Sequence, residues 1–280
     1  MLDRSAPFRV DVEDIEYARP AGVPLLARVY RPAGASGPLA ALVDVHGGAW
    51  SFFDRTADAY FDAALAACGL VVVALDFRQG PQHRHPAAVD DVVTGMRFVR
   101  SEAARLGVDP RRVGLIGSSS GGHLALLAGT RAAADAACVL ALWPIADPGS
   151  RYRYVLDRLA HPRPSHDPLF VPSHLRQGHE AYFGDEATMD AASVPRLVTA
   201  GEAERLPPIW VAHPERDENV TLEMTHHLIE AYRGAGGAAE LAVFAGAGHA
   251  FANFPGKAAD HCIGCMKDFL ARTLDGSPHA

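Results

Sequence analysis

The chain has 280 residues, a length that suits one large α/β domain or two small ones. Hydrophobic residues make up 49% of it, so a sizeable core is available and intrinsic disorder is excluded as a description of the whole. The formal net charge of -7 would repel nucleic acid and anionic membranes, which argues against both as partners.

Neither targeting nor disulfide chemistry is indicated. The first residues carry acids where a secretory signal would be apolar, and no apolar run approaches the roughly 18 residues of a membrane span. The four cysteines are too sparse for a disulfide framework. Cys262 and Cys265 lack a second ligand pair at zinc spacing, so a shared helix face is the simpler interpretation. We therefore expect a cytoplasmic protein with no metal and no cofactor.

Short apolar runs alternate with longer helical patterns along the chain. The first two runs, at 8–17 and 25–31, flank a turn-like segment and predict an antiparallel pair. Six further runs predict buried strands at 39–45, 71–77, 113–117, 138–143, 209–213 and 239–244. Helical patterns are predicted at 57–67, 87–105, 120–130, 221–235 and 257–274. This alternation predicts the α/β class: a doubly wound, mostly parallel sheet flanked by helices.

One segment breaks the alternation. From 147 to 205 the chain is rich in Pro, His and Arg and contains no convincing strand. An interruption of that length inside a compact domain is typical of a lid or a binding segment. We therefore predict a single domain over 1–280 with a lid insertion at 147–205. The arginines of this segment could recognise an acidic group, but a solvated surface is the favoured interpretation. They are Arg151, Arg153, Arg158, Arg163 and Arg176.

The strongest chemical signal is Gly117-Ser118-Ser119-Ser120-Gly121, between an apolar run and a helical pattern. In a G-x-S-x-G elbow the serine lies on a sharp strand-to-helix turn, and only Ser119 has glycine two residues away on both sides. A helix N-cap in a Gly/Ser turn is the alternative interpretation. The strand and helix around the motif favour Ser119 as a nucleophile.

A second signal, His46-Gly47-Gly48-Ala49-Trp50, follows the predicted strand at 39–45. Acyl transfer needs hydrogen-bond donors for the oxygen of the tetrahedral intermediate, and glycines let backbone N–H groups face a site. The residue after the nucleophile, Ser120, supplies a further N–H. An ordinary strand-ending turn would explain the motif only if it stood alone.

An acid and a base should follow in chain order. The predicted strand at 209–213 precedes Glu215, Asp217 and Glu218, which are all candidates for the acid. His249 lies in a Gly-rich loop after the last predicted strand, where it can reach the serine. The order Ser…Asp…His predicts His249 as the general base.

These motifs resemble the hormone-sensitive-lipase-like branch of the α/β-hydrolases, with kinship to kynurenine formamidases. The resemblance spans about residues 25–255 and includes Asp76-Phe77-Arg78 and the 86–91 segment. It implies an oxyanion hole made by the N–H groups of Gly48, Ala49 and Ser120. A G-x-x-D-x-x-V-like pattern implies that Asp217 is the acid. The chain departs from the branch at its elbow, GSSSGG, where GDSAGG is commoner.

The sequence therefore predicts a serine hydrolase, in particular a carboxylesterase acting on short or medium acyl esters of small molecules. An arylformamidase-type amidase would use the same residues, and a non-enzymatic ligand-binding member of the fold is a further alternative. A homodimer is a further expectation. Aromatic residues that could line the substrate pocket are Trp50, Trp143 and Phe251, together with Phe52, Phe53, Phe170, Tyr182 and Phe183.

Overall fold

A single sheet organises the protein, whose computed structural model describes residues 7–274. Within that range eight strands pair in the order β1-β2-β4-β3-β5-β6-β7-β8. The strands are β1 (Val10–Ala18), β2 (Leu25–Pro32), β3 (Leu39–Val45), β4 (Val71–Leu75), β5 (Val108–Ser118), β6 (Val139–Leu142), β7 (Ile209–Pro214) and β8 (Ala239–Phe244). β2 pairs antiparallel with β1 and with β4, and all the other pairs are parallel. The predicted α/β class and the mostly parallel sheet are confirmed.

One strand is longer than its apolar run. β5 begins at Val108, five residues before the predicted start at Val113. Val108 pairs with Leu39, and the register shifts before Ala41 pairs with Val113. The intervening Asp109-Pro110-Arg111-Arg112 is polar, so its hydrophobicity resembles that of a loop. Backbone pairing with β3 therefore extends the strand where the side chains give no sign of it.

Helices cover both faces of the sheet. They are α1 (Ala59–Ala66), α2 (Ala87–Ser101), α3 (Ala103–Leu106), α4 (Ser120–Gly129), α5 (Pro148–Ala160), α6 (Pro172–Phe183), α7 (Glu186–Ala191), α8 (Val194–Thr199), α9 (Leu222–Gly234) and α10 (Lys257–Leu274). Short 3-10 helices lie at Pro20–Gly22 and Phe251–Asn253. The helix predicted at 87–105 is divided at Glu102 into α2 and α3.

Two hydrophobic clusters fill the space between helices and sheet. Val71, Val73 and Leu75 of β4 belong to one cluster, whereas Val72 and Ala74 belong to the other. Successive side chains of a strand point to opposite faces, so a continuous apolar run fills both layers. This two-sided burial explains why the apolar run of β4 predicts a strand.

The 147–205 segment, placed between β6 and β7, forms α5 to α8 and contains no strand. Asp147, Asp185 and Ser193 cap α5, α7 and α8 by accepting a backbone N–H with their side chains. Its role as a lid stays a prediction. In the part of the chain from 7 to 274, no helix is both long and apolar enough to cross a membrane.

Candidate active site

The Ser119 turn joins β5 to α4. Ser119 has φ 52° and ψ -118°, a backbone conformation that costs free energy for any residue with a side chain. Its N–H donates to the Leu142 carbonyl at 2.8 Å, which holds the turn against β6. A Cβ on Gly121 would lie 1.9 Å from the Val45 carbonyl oxygen, so this position has room only for glycine. The flanking glycines of the motif are therefore a requirement of close packing between α4 and β3.

Ser119, His249 and Asp217 are brought together in one hydrogen-bonded chain. His249 Nε2 lies 3.0 Å from Ser119 Oγ, and its Nδ1 lies 2.8 Å from Asp217 Oδ2. The other carboxylate oxygen of Asp217 accepts the N–H groups of Asn219 and Val220 at 2.8 and 2.9 Å. With Nδ1–H donating to Asp217, Nε2 is free to accept the Ser119 proton. This arrangement can generate an alkoxide nucleophile.

The two rival acids lie elsewhere. Glu215 accepts the N–H of Gly246 at 2.7 Å, which fixes the loop that carries His249. Glu218 pairs with Arg158 at 3.3 Å and accepts the N–H of His166. Neither carboxylate contacts His249, so the geometry favours Asp217 among the three candidates.

The loop after β3 is folded back by residues with positive φ: Gly48 at 110°, Ala49 at 49° and Trp50 at 58°. A Cβ on Gly48 would lie 2.1 Å from the Phe52 carbonyl oxygen. The N–H groups of Gly48, Ala49 and Ser120 donate to no residue between 7 and 274. Unpaired N–H groups beside a nucleophile are what an oxyanion hole requires.

Two buried imidazoles support this loop. His46 stacks on Phe77 with ring centroids 4.4 Å apart, and its Nδ1–H donates to the Gly47 carbonyl at 2.6 Å. His123 accepts the indole N–H of Trp50 at 3.2 Å and donates to the Ala192 carbonyl at 2.9 Å. Burial lowers the pKa of His46 and lowers that of His123 to about 3, so both rings stay neutral.

A fourth carboxylate, which sequence reasoning missed, lies beside the elbow. Asp58 Oδ2 accepts the Ser118 hydroxyl proton at 2.9 Å, and Ser118 Oγ in turn accepts the N–H of Gly47 at 3.1 Å. The other oxygen of Asp58 accepts from the side chain of Asn253. Burial raises the pKa of Asp58 to about 7, although both side-chain bonds act to lower it. Its position just before α1 resembles a helix cap, but the side chain makes no capping bond.

These groups border a cavity of about 450 Å³. Its wall combines the elbow and the Gly47–Gly48–Ala49 loop with apolar side chains from several segments. The apolar and aromatic side chains are Phe52, Phe53, Trp143, Ile145, Leu169, Leu175 and Phe254. Phe52, Phe53 and Phe254 are 59, 71 and 68% exposed, so they form an apolar rim.

The predicted pocket aromatics divide between the cavity and the core. Trp143, Phe52 and Phe53 line the cavity, whereas Trp50 and Phe251 do not. Trp50 is buried behind the loop, stacked on Tyr182 with ring centroids 5.9 Å apart. Phe251 packs between Trp143 and Phe244, at 5.1 Å from each ring. Phe170, Tyr182 and Phe183 are also buried away from the cavity wall.

The expectation of solvated arginines in the 147–205 segment is wrong for two of them. Arg151 is 1% exposed and lines the cavity, and Arg158 is 6% exposed. Both lie on α5, and one face of this helix packs against the loop after β7. The polar composition of α5 gives no indication of this burial. Among residues 7–274, no group of three or more His, Cys, Asp or Glu residues is arranged to hold a metal ion.

Comparison with known proteins places this geometry in a family. A family model described as alpha/beta hydrolase fold matches residues 42–253. The chain belongs to this family, and the resemblance inferred from its motifs is confirmed; the kinship with kynurenine formamidases stays a prediction.

Individual relatives are similar over part of their length. The carboxylesterase NlhH of Mycobacterium tuberculosis is 34% identical over 118 residues, which are 42% of this chain and 36% of NlhH. An ethyl acetate hydrolase of Pseudomonas putida is 33% identical over 128 residues, which are 44% of this chain and 40% of that protein. The chain thus matches well under half the length of these curated relatives.

Solved structures match along nearly the whole chain. The thermophilic esterase Est2 of Thermogutta terrifontis is 25% identical with a TM-score of 0.73, covering 96% of this chain and 95% of Est2. The carboxylesterase EstE1, cloned from a metagenomic library, has a TM-score of 0.80 at 23% identity, covering 96% of this chain and 91% of EstE1. At that identity EstE1 supports the fold alone.

Proposed function

We propose that this protein is a serine carboxylesterase that cleaves small-molecule esters of short or medium acyl chain through an acyl-enzyme. The observation that carries the proposal is the hydrogen-bonded chain from Asp217 through His249 to Ser119 at the edge of an apolar cavity. The carboxylesterase and ethyl acetate hydrolase among the relatives support the same reaction class.

In this mechanism His249 Nε2 takes the Ser119 proton as Oγ attacks the ester carbonyl carbon. The resulting imidazolium is stabilised by Asp217, which is buried against it. His249 then gives its proton to the departing alkoxide, which leaves as alcohol, and Ser119 keeps the acyl group. A water molecule, deprotonated by His249, attacks the acyl-enzyme, and the acid is released as Ser119 recovers its proton.

The oxyanion of each tetrahedral intermediate accepts from the N–H groups of Gly48, Ala49 and Ser120. Because these donors have no other partner in the described chain, they need no rearrangement when the charge develops. Removal of one such donor typically slows kcat by about a hundredfold to a thousandfold. The backbone is thus responsible for a large share of the proposed rate enhancement.

The cavity limits the substrate. A volume of about 450 Å³ lies within the usual range of small-molecule pockets, which supports a small or medium ester as the substrate. Longer chains would extend over the apolar rim formed by Phe52, Phe53 and Phe254. The homodimer and the cytoplasmic location stay predictions.

The test is hydrolysis of p-nitrophenyl esters from acetate to palmitate. The proposal expects turnover of the short and medium esters by the wild type and a loss of at least about a thousandfold in Ser119→Ala. Ser101→Ala, on the exposed face of α2, is the matched control and should retain wild-type activity.

Activity that survives in Ser119→Ala would overturn the nucleophile assignment. Turnover of N-formylkynurenine without any ester turnover would overturn the carboxylesterase assignment and reassign the leaving group to an amine.

A further inference from the structure

The cavity wall contains one buried cation, Arg151. This residue lies on α5 with 1% of its surface exposed, in a wall that is otherwise dominated by apolar side chains. Burial lowers its pKa to about 10, so the guanidinium still carries its charge at neutral pH. A buried charge is costly unless a partner group compensates it.

Arg151 differs from the other arginines of the 147–205 segment. Each of those that the sequence singled out has a carboxylate partner: Arg153 with Asp190, Arg158 with Glu218, Arg163 with Asp157 and Arg176 with Glu180. Arg151 forms no ion pair with any carboxylate in the described residues. Asp217 is the acid that influences its charge, and that carboxylate is already bonded to His249 and two backbone N–H groups.

The hydrogen bonds of Arg151 within residues 7–274 do not use all of its N–H donors. Nε donates to the Asn219 carbonyl at 3.0 Å and Nη2 to the Asn219 side-chain oxygen at 3.1 Å. Among residues 7–274, Nη1 approaches only His179 Nδ1, at 3.5 Å. His179 Nδ1 must carry a proton to donate to the Leu175 carbonyl at 2.8 Å, so it has no lone pair for Arg151. The guanidinium is therefore held in place by Asn219, while Nη1 has no acceptor in the part of the chain that the structure describes.

We propose that Arg151 forms a carboxylate subsite in the cavity, and that the enzyme's preferred substrates are esters bearing a free carboxylate, such as monoesters of short dicarboxylic acids. A guanidinium recognises a carboxylate through charge and paired N–H groups, and its effect is largest in an apolar, desolvated wall. Hydrolysis of such a monoester releases an alcohol and a dicarboxylate by the same acyl-enzyme route. The inference rests on the proposed ester hydrolysis and names its substrate class.

The experiment compares esters matched in chain length and leaving group. Monoethyl glutarate and ethyl valerate have five-carbon acyl groups and the same alcohol, and differ in the terminal carboxylate. The expected result is a kcat/KM for monoethyl glutarate at least about tenfold above that for ethyl valerate. In Arg151→Met the ratio of the two kcat/KM values should fall to one or below. Arg153→Met, on the same helix but at the surface, is the matched control and should keep the wild-type ratio.

Different negative results contradict the carboxylate subsite and the proposed esterase function. Turnover of ethyl valerate without a preference for monoethyl glutarate overturns the subsite and leaves the proposed esterase standing. An unchanged ratio in Arg151→Met also overturns the subsite. Absence of hydrolysis of both esters overturns the proposed function, and the subsite with it. Arg151→Lys provides a second variant in case Arg151→Met does not fold; it keeps the charge and should retain part of the preference, because the ammonium cannot reproduce the paired N–H geometry.

Discussion

Asp58 connects three segments that each contribute to the candidate site. Through Ser118 it reaches the elbow and the N–H of Gly47, and through Asn253 it reaches the 3-10 helix that follows His249. Both of its oxygens accept hydrogen bonds, so the carboxylate form satisfies every donor around it. The position of the proposed oxyanion donors relative to Ser119 therefore depends on a side chain that hydrogen-bonds to none of these donors.

Replacing Asp58 by Asn should impair turnover more than substrate binding. The amide brings two N–H donors to a place where only acceptors are needed, so the loop at Gly47 should shift relative to Ser119. We expect kcat to fall by about tenfold or more while KM changes by less than about threefold, because a small misplacement of oxyanion donors acts on the transition state. Asp54→Asn, an exposed change in the same segment, is the control. A rise in KM with unchanged kcat would contradict a positioning role.

Gly121 is the tightest of the elbow glycines. An added Cβ would meet the backbone oxygens of Val45 at 1.9 Å and of His46 at 2.3 Å, and backbone atoms cannot rotate away as a side chain can. Gly121→Ala should therefore lower the free energy of unfolding by more than about 3 kcal/mol, measured by urea denaturation. Gly264→Ala on α10, where no atom lies within 4 Å of the new Cβ, should instead raise it by about 0.5–1 kcal/mol. Equal effects at the two positions would contradict the packing argument.

At the scale of elements, α5 holds the loop that follows β7. Arg151 bonds Asn219, Tyr154 donates to the Glu218 carbonyl at 3.2 Å, and Arg158 pairs with the Glu218 carboxylate. These contacts flank Asp217 on its C-terminal side. The 147–205 segment is thereby bonded to the strand end that carries the candidate acid, so α5 behaves as a fixed wall of the site.

Arg158→Met should loosen this connection. The guanidinium lies over the Phe170 ring at 4.5 Å and donates to the Arg163 carbonyl, so its loss releases the 161–171 stretch as well as Glu218. Because Glu218 stays partly exposed, we expect a loss of about 1–3 kcal/mol in the free energy of unfolding, with faster proteolysis in 161–171. Arg153→Met, which removes only surface ion pairs, should cost less than about 1 kcal/mol. Equal losses in the two variants would contradict the connection.

The strands and motifs were predictable from sequence for a physical reason. β3 matches its predicted bounds because an aliphatic run buried on both faces is a local property of the chain. The burial of Arg151 and the bonds of Asp58 depend on partners 68 and 60 residues away, which no local pattern records. The early start of β5 escaped prediction for the same reason, since backbone pairing with β3 fixes it.

At the scale of the whole molecule, parallel strands bring distant motifs to one edge. The ends of β3, β5 and β7 precede the Gly47 loop, Ser119 and Asp217, and the loop after β8 carries His249. The carboxyl ends of parallel strands lie at the same edge of a sheet, so four segments that are distant in sequence lie close together there. Chain order and strand type together predict this convergence, whereas the detailed distances require the folded protein.

The same packing buries titratable groups that act on stability in opposite directions. Burial lowers the pKa of five histidines, which remain neutral in the fold and therefore disfavour folding as the pH falls below about 6.5. They are His46, His85, His123, His179 and His213. Burial raises the pKa of Asp44, Asp58 and Asp62, whose stabilising contribution is complete below about pH 4 and is lost as the pH rises.

Asp62 provides a test of the acidic contribution, because both of its oxygens are buried without a partner among residues 7–274. Its raised pKa means that the wild type loses stability on raising the pH from about 4, whereas Asp62→Asn does not titrate there. The free energy of unfolding of Asp62→Asn minus that of the wild type should increase from pH 5 to 8, by at most about 1.4 kcal/mol per pH unit. Urea denaturation at each pH measures it. Asp54→Asn is the control, because the Thr56 hydroxyl lowers the pKa of Asp54. The free energy of unfolding of Asp54→Asn minus that of the wild type should therefore stay constant from pH 5 to 8. A flat Asp62→Asn difference would mean that the fold accommodates this carboxylate in its charged form.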